Sequence, residues 1–346
     1  MGRAEADILE LLWQTGGAYQ SEVVKATGFS KSTVSEALAQ LEAKRLVRKV
    51  AVGKSLKLYP IGREVRKQSL GHEQGRGGRG LRLGFTRAAE YPFLVPFRRA
   101  LGDSGIELDF EVYENGVEVA RDLSELRIDL GVAPVLTLFM YYSLDAPFKV
   151  LAPAGSGGAS MFQGAKSHSS LDRVAAVTCT RVSTMELMMR SAMRDSIIPD
   201  TSRIVYAAGP AQMQQMLATG LADVGCIWEP YATILESQGA RRIVRYTDLA
   251  DHVCCALAAS NRLSEKTLTM VSRRYEDSMN SFRRDPDAHL SAYAALSGLE
   301  ASLLRRVSKE YSYPEDFGSR VVERQLERAG LVLPSIASFR GALARS

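Results

Sequence analysis

The sequence predicts an α/β protein carrying a small helical head, and three observations lead there. Apolar residues recur at helical spacing over positions 4–44 and then alternate in two short β-prone runs. A glycine-rich run, 71–80, follows that head. Beyond it, short apolar runs alternate with helical patterns, the succession expected of α/β architecture with mainly parallel sheets. With 346 residues, 46% hydrophobic and 24% charged, the chain is long enough to bury two or three packed units.

In the head, Ile8, Leu11 and Leu12 predict a first helix across 4–14 that stops at Gly16-Gly17. Ser21 is placed to cap a short second helix over 22–27. Gly28-Phe29-Ser30 makes the turn after it, because glycine tolerates the left-handed backbone of a helix stop. Ser30 is the expected N-cap of a third helix, from 31 to about 44, with Val34, Ala37, Leu38 and Leu41 facing inward. Two β-prone runs, 46–52 and 55–59, carry Val50, Val52, Leu56 and Leu58 and meet at Gly53-Lys54 as a hairpin.

This arrangement offers the start of the third helix's polar face to a DNA major groove, where short polar side chains reach base edges. The candidate readers are Lys31, Ser32, Thr33, Ser35 and Gln40, and Arg48, Lys49, Lys54 and Lys57 on the hairpin are candidates for phosphate contact. Charge points the same way. Residues 1–80 hold 14 Lys/Arg against 8 Asp/Glu, whereas the remainder holds 30 against 31, so the net charge of +5 resides in the first quarter. The segment YQSEVVKATGFSKSTVSEALAQLEAKRLVRKVAVGKSLKLYP resembles the winged helix-turn-helix of MarR-type and related prokaryotic regulators, over roughly 4–60. That resemblance implies binding to double-stranded DNA as a homodimer or higher homo-oligomer, with a protein-binding winged helix as the other reading. Residues 61–70, with Arg63, Arg66 and Lys67, read as a short helix or arm able to pair protomers. The glycines of 71–80 deny that run a stable helix or strand.

After the glycine-rich run, strands are expected at 81–85, 107–113, 129–133, 149–153, 173–179, 203–207, 222–228, 242–246 and 253–259, with helices at 91–101, 185–194 and 211–219. In such sheets ligands sit at the carboxyl ends of strands. The stretch AAGPAQMQQMLATGLADVGCIWEPYATILESQGARRIV resembles the second lobe of substrate-binding proteins of the nitrate/sulfonate/taurine and thiamine-pyrimidine-precursor group. These have a type II periplasmic-binding fold. LRLGFTRAAEYP, GVAP, DRVAAVTCTRVST and SGLEASLLRRVSKEYSYPEDF resemble other parts of that group in order, so the likeness runs from 81 to about 340. It implies a winged head (1–70), a linker (71–80) and a bilobed ligand-binding domain (81–346), with lobe I at about 81–155 and 250–346 and lobe II at about 156–249.

The cleft implied by the resemblance is bounded by Phe85, Thr86 and Arg87, by Ala133, Pro134 and Thr137, and by Gly155 and Ser156. Lobe II would add Thr180, Arg181, Ser183 and Thr184, then Gly209 and Gln212, then Glu229 and Tyr231. Residues 180–184 lie at a helix start, where unpaired N–H groups favour an anion. Arg87 and Arg181 either add a fork-shaped donor pair there or lie on a lobe surface. Trp228, directly after an apolar strand, is read as core.

Catalysis is not expected. The histidines, His72, His168, His252 and His289, and the cysteines, Cys179, Cys226, Cys254 and Cys255, show no zinc-type or catalytic spacing, and no catalytic motif stands in its required context. No catalytic residue, metal or cofactor is therefore assigned. Charged residues interrupt the N-terminal apolar positions too early for a signal peptide, and no apolar run is long enough to span a bilayer. The expectation is a cytoplasmic, one-component transcriptional regulator that binds DNA and a small anionic or heteroaromatic effector, away from membranes. The alternative is a cytoplasmic small-molecule-binding or thiamine-pyrimidine-synthase-like metabolic protein.

Overall fold

In the computed structural model the chain divides between Gly77 and Gly78. The structure describes residues 2–15, 18–43, 47–52, 55–60, 80–317 and 319–328. The expected arm at 61–70, the glycine-rich run except Gly80, and Lys54 lie outside the described residues.

The first unit contains α1 (Arg3–Thr15), β1 (Ala18–Tyr19), α2 (Gln20–Thr27), α3 (Lys31–Ala43), β2 (Val47–Val52) and β3 (Ser55–Pro60). Its sheet is antiparallel, in the order β1-β3-β2. Ile8, Leu12, Val23, Val34, Leu38 and Leu41 form its core with Val47 and Leu58 of the strands. Gly28 closes α2 at φ 71°, its N–H reaching the Val24 carbonyl at 3.1 Å. Ser30 Oγ accepts the Thr33 N–H at 3.1 Å and so caps α3. One cap differs from expectation: α2 starts at Gln20 rather than after Ser21, because the Glu22 carboxylate accepts the Tyr19 N–H at 2.7 Å.

The second unit continues with β4 (Gly80–Thr86), α4 (Leu94–Gly102), β5 (Glu107–Tyr113), α5 (Gly116–Ser124), β6 (Leu130–Pro134), α6 (Val135–Tyr142), β7 (Phe148–Gly157) and β8 (Ala159–Gln163). Next come β9 (Ala176–Thr180), α7 (Thr184–Arg194), β10 (Arg203–Ala207), α8 (Pro210–Thr219), β11 (Val224–Trp228), α9 (Tyr231–Ser237), β12 (Arg241–Arg245) and α10 (Tyr246–Leu249). The remainder is β13 (Cys255–Ser260), α11 (Glu265–Arg284), α12 (Leu290–Ser297), α13 (Ala301–Val307), β14 (Tyr311–Ser312) and α14 (Ser319–Arg328). Among the described residues, no helix is long and apolar enough to cross a membrane.

Two sheets, one per lobe, organise this unit: β14-β7-β13-β6-β4-β5 in lobe I and β10-β9-β11-β8-β12 in lobe II. Both are mixed rather than mainly parallel. In lobe I, β5, β4 and β6 are parallel, and β13, β7 and β14 follow in successive antiparallel pairings, β13 with β6, β7 with β13 and β14 with β7; in lobe II, β10, β9 and β11 are parallel, β8 runs against them and β12 runs against β8. The antiparallel additions arise where the chain changes lobe. At Gly157 and Gly158, with φ 92° and 67°, it leaves lobe I and immediately forms β8, a strand hidden in the sequence behind a glycine cluster that reads as a turn. It returns after α10 into β13. A third crossing corrects the expected assignment of 250–346 to lobe I: Val322 and Leu326 of α14 are buried in one core cluster with Met188 and Met189 of α7, and Arg194 donates to the Glu327 carbonyl at 2.9 Å. Lobe I keeps a separate aromatic core in which Phe85, Phe93 and Phe97 pack edge-on with Tyr91 and Tyr275.

Candidate functional site

A cleft enclosing about 490 Å³, its open mouth included, lies between the lobes of the second unit at the carboxyl ends of β4, β6, β9 and β11. Lobe I contributes Thr86, Ala88, Glu90 and Tyr91 after β4, Asn115 and Gly116 at the start of α5, and Pro134 at the end of β6. Lobe II contributes Thr180, Arg181 and Ser183 after β9, Thr184 and Met185 in the first turn of α7, and Trp228 at the end of β11. Gly157, Cys254 and Cys255, on the chain segments that pass between lobes, close the floor. The lobes are drawn together: Asn115 Nδ2 donates to the Ala208 carbonyl at 3.1 Å, Trp228 Nε1 to the Arg87 carbonyl at 3.2 Å, and the Ala89 N–H to the Glu229 carbonyl at 3.2 Å.

The loop after β9 is held tightly. Ser183 caps α7, its hydroxyl 2.8 Å from that of Thr180, and the Glu186 carboxylate accepts the Val182 N–H at 2.7 Å. Val182 itself sits at φ 52°, rare for a β-branched residue, and its carbonyl accepts the Thr137 hydroxyl. Glu186 also takes hydrogen bonds from Arg190 and Tyr206, both at 2.8 Å. The positive end of α7 is thus already met by a buried carboxylate, which weakens the expected anion site at 180–184. Arg181 lines the rim, exposed, with its guanidinium over the Tyr206 ring at 4.4 Å.

At the floor lies a carboxyl group. Glu90 is buried, and burial pushes its carboxyl up to about 7 against thiol and phenol hydrogen bonds that pull it down. Cys255 Sγ lies 3.4 Å from Glu90 Oε2, 3.0 Å from the Tyr91 hydroxyl and 3.4 Å from Cys254 Sγ; Tyr91 in turn reaches the Thr86 hydroxyl at 3.1 Å. Glu90 Oε1 has no hydrogen-bond partner. The spacing argument against any metal-ligating group therefore does not hold in three dimensions, because one ligand atom from each of Glu90, Cys254 and Cys255 falls within 4.8 Å of the others.

Of the residues expected around the cleft, Thr86, Pro134, Thr180, Arg181, Ser183 and Thr184 line it. The others do not, each for a visible reason. Phe85 points into the lobe I aromatic core. Arg87 pairs with Glu114 at 3.4 Å and donates to the Ser297 carbonyl at 3.2 Å. Thr137 and Ser156 spend their hydroxyls on the Val182 and His252 carbonyls. Gly209 precedes α8, where Gln212 accepts the Ala208 N–H at 2.7 Å. Glu229 is buried with Arg242 at 3.7 Å and accepts the Thr233 N–H at 3.0 Å, an anchor for α9. Tyr231 stacks edge-on against Trp228, and it is Trp228 that reaches the cleft. Sequence reasoning missed Glu90, Tyr91, Asn115, Cys254 and Cys255; an Asn-Gly pair at a helix start was the available signal for Asn115.

In the first unit the α3 residues Lys31, Ser32, Thr33, Ser35 and Gln40 are all exposed. Ser32 and Thr33 hydroxyls each lie 2.8 Å from Ser30 Oγ. Arg48, Lys49 and Lys57 fall on β2 and β3, with side chains outside the described residues.

Residues 3–59 match the model of a family described as a domain of unknown function, DUF7343. No curated protein matches the chain in sequence. Among solved structures, the zinc-bound ligand-binding component of an ABC-type import system from Staphylococcus aureus is similar at TM-score 0.64 and 16% identity, covering 78% of this chain and 100% of that one. The alkanesulfonate-binding protein SsuA from Xanthomonas axonopodis pv. citri, bound to MOPS, gives 0.64 and 17%, covering 79% and 100%. The periplasmic aliphatic sulphonate-binding protein SsuA from Escherichia coli gives 0.62 and 17%, covering 77% and 92%. The second unit accordingly has the bilobed periplasmic-binding-protein-like fold.

Proposed function

We propose that this protein is a one-component transcriptional regulator of the cytoplasm, in which the first unit binds double-stranded DNA and the interlobe cleft binds a small-molecule effector. The observation that supports this reading is the presence, on one chain, of a small unit whose third helix exposes a polar face and of a bilobed periplasmic-binding-protein-like fold. Lys31, Ser32, Thr33, Ser35 and Gln40 are the proposed readers of base edges, and Arg48, Lys49, Lys54 and Lys57 the phosphate contacts. A homodimer matches two reading helices to two half-sites. The effector closes the lobes by its differential affinity for the closed state and thereby biases the arrangement of the paired heads.

The cleft favours the heteroaromatic branch of the expected ligand class over the anionic one. Its walls carry Tyr91, Trp228 and Met185, its floor carries Glu90, and the arginine at its rim is engaged with Tyr206. No catalytic role is assigned. The deciding experiment is selection of bound fragments from genomic DNA by the full chain, followed by gel shifts of the enriched fragment and a scrambled control across a salt series. Specific retention at moderate salt, changed by a metabolite, is the expected result. Equal retention of both fragments at every salt concentration, with no metabolite response, would leave a binding protein with a basic appendage.

A further inference from the structure

We propose that Glu90, Cys254 and Cys255 form a binding site for one thiophilic divalent metal ion, of the Zn²⁺ class, at the floor of the interlobe cleft. The claim rests on the cleft being a binding site and is independent of DNA binding.

The geometry comes first. Zinc bonds of about 2.3 Å to thiolate and about 2.0–2.2 Å to carboxylate oxygen put the donors of a tetrahedral site roughly 3.3–3.8 Å apart. Cys254 Sγ and Cys255 Sγ are separated by 3.4 Å, and Cys255 Sγ and Glu90 Oε2 by 3.4 Å. Neighbouring residues of a regular strand point to opposite faces, so a Cys-Cys pair ordinarily cannot share an ion. Here Cys254 precedes β13, and the pairing of β13 with β7 shifts register between Cys255 and Ala256. That irregularity is what brings both sulfurs to the cleft.

A second observation points to a cation independently of the sulfurs. Glu90 is only 3% exposed, lines the cleft, and leaves Oε1 without a partner. A buried carboxyl oxygen left unsatisfied is costly, and an ion held beside Oε2 would satisfy it where the carboxylate chelates through both oxygens. Space has been kept for this group: a Cβ on Gly155 would stand 2.5 Å from Glu90 Oε1. Tyr91 at 3.0 Å from Cys255 Sγ and the Thr184 hydroxyl at 3.4 Å from Cys254 Sγ are placed to orient the donors.

Two sulfurs and one carboxylate select a borderline-soft ion over Mg²⁺ or Ca²⁺, which take oxygen donors. Binding replaces the thiol protons of Cys254 and Cys255, and that of the Glu90 carboxyl where it is protonated, and three protein donors leave a fourth coordination position open to the cleft. Cys179 on β9 and Cys226 on β11, both buried, provide internal controls.

The test uses the reduced, metal-free full chain titrated with Co²⁺ or Cd²⁺ while thiolate-to-metal charge-transfer absorption is followed. The expected result is a band saturating at one ion per chain and displaced by Zn²⁺. It should be lost in Cys254→Ser and in Cys255→Ser, retained in Cys179→Ser and Cys226→Ser, and formed at least tenfold more weakly in Glu90→Gln. Because a buried Cys→Ser change can impair folding, protection of two thiols from alkylation by Zn²⁺ in the unmodified protein gives a second readout. Absence of a stoichiometric band and of thiol protection in the unmodified chain, or a band that survives the double serine variant, overturns the proposal. Metal binding without sequence-specific DNA retention would sink the regulator reading alone; the reverse result would sink this one alone.

Discussion

His252 shows at the scale of one residue how the segments that pass between the lobes are fastened. Its ring is buried and stacked on Tyr246 at 4.1 Å, its Nε2 accepts the Gly157 N–H at 3.3 Å, and its Nδ1 lies 3.2 Å from the Ala250 carbonyl. That pattern needs the neutral ring with the proton on Nδ1, and burial accordingly lowers its pKa from 6.5 to about 4. The unfolded chain takes up the proton near 6.5 while the folded one refuses it until about 4, so acid favours unfolding. The contribution is complete above pH 6.5 and declines as pH falls toward 4, by about 3 kcal/mol in all. Urea midpoints of the full chain measured between pH 4 and 7 should show this slope, and His252→Gln should flatten it. An unchanged slope in that variant would assign the acid sensitivity to other groups.

At the scale of elements, α14 carries the clearest prediction. Val322 and Leu326 are buried beside Met188 and Met189 of α7, so Leu326→Ala opens a cavity and should cost about 2–4 kcal/mol, read as a lowered urea midpoint. A change of a few tenths would mean that this helix is a surface ornament. Elements of this kind also mark the limit of what the sequence discloses. The inward positions Val34, Ala37, Leu38 and Leu41 of α3 were readable because local periodicity reports burial directly. The destination of α14 was not, because an amphipathic stripe says that a helix packs without saying on what. The same limit separates the legible part of the cleft from the rest. Strand-to-helix loops such as 180–184 announce themselves by sequence, whereas the vicinal thiols meet the cleft only through a register shift between strands distant in the chain.

On the scale of the whole molecule, the two units divide at Gly77 and have separate cores. Their chemistries should therefore be separable by mutation. Lys31→Glu, exposed on α3, should abolish DNA retention in gel shifts while leaving ligand and metal titrations of the same preparation unchanged. Loss of both would show that the units do not act independently. Within the second unit, the segments that pass between lobes meet at one place. Ser156 and Gly157 bond His252 on the returning segment, Gly158 donates to the Glu310 carbonyl at 2.9 Å, and β14 pairs with Ser156 and Gly157 before the chain leaves for α14. A bilobed receptor joined by two loose straps can both nod and swivel. Three straps fastened side by side leave nodding as the easy motion. Since Gly157, Cys254 and Cys255 belong to this fastening and also to the cleft floor, an occupant there grips the pivot itself, and its affinity is converted into an angle rather than a twist.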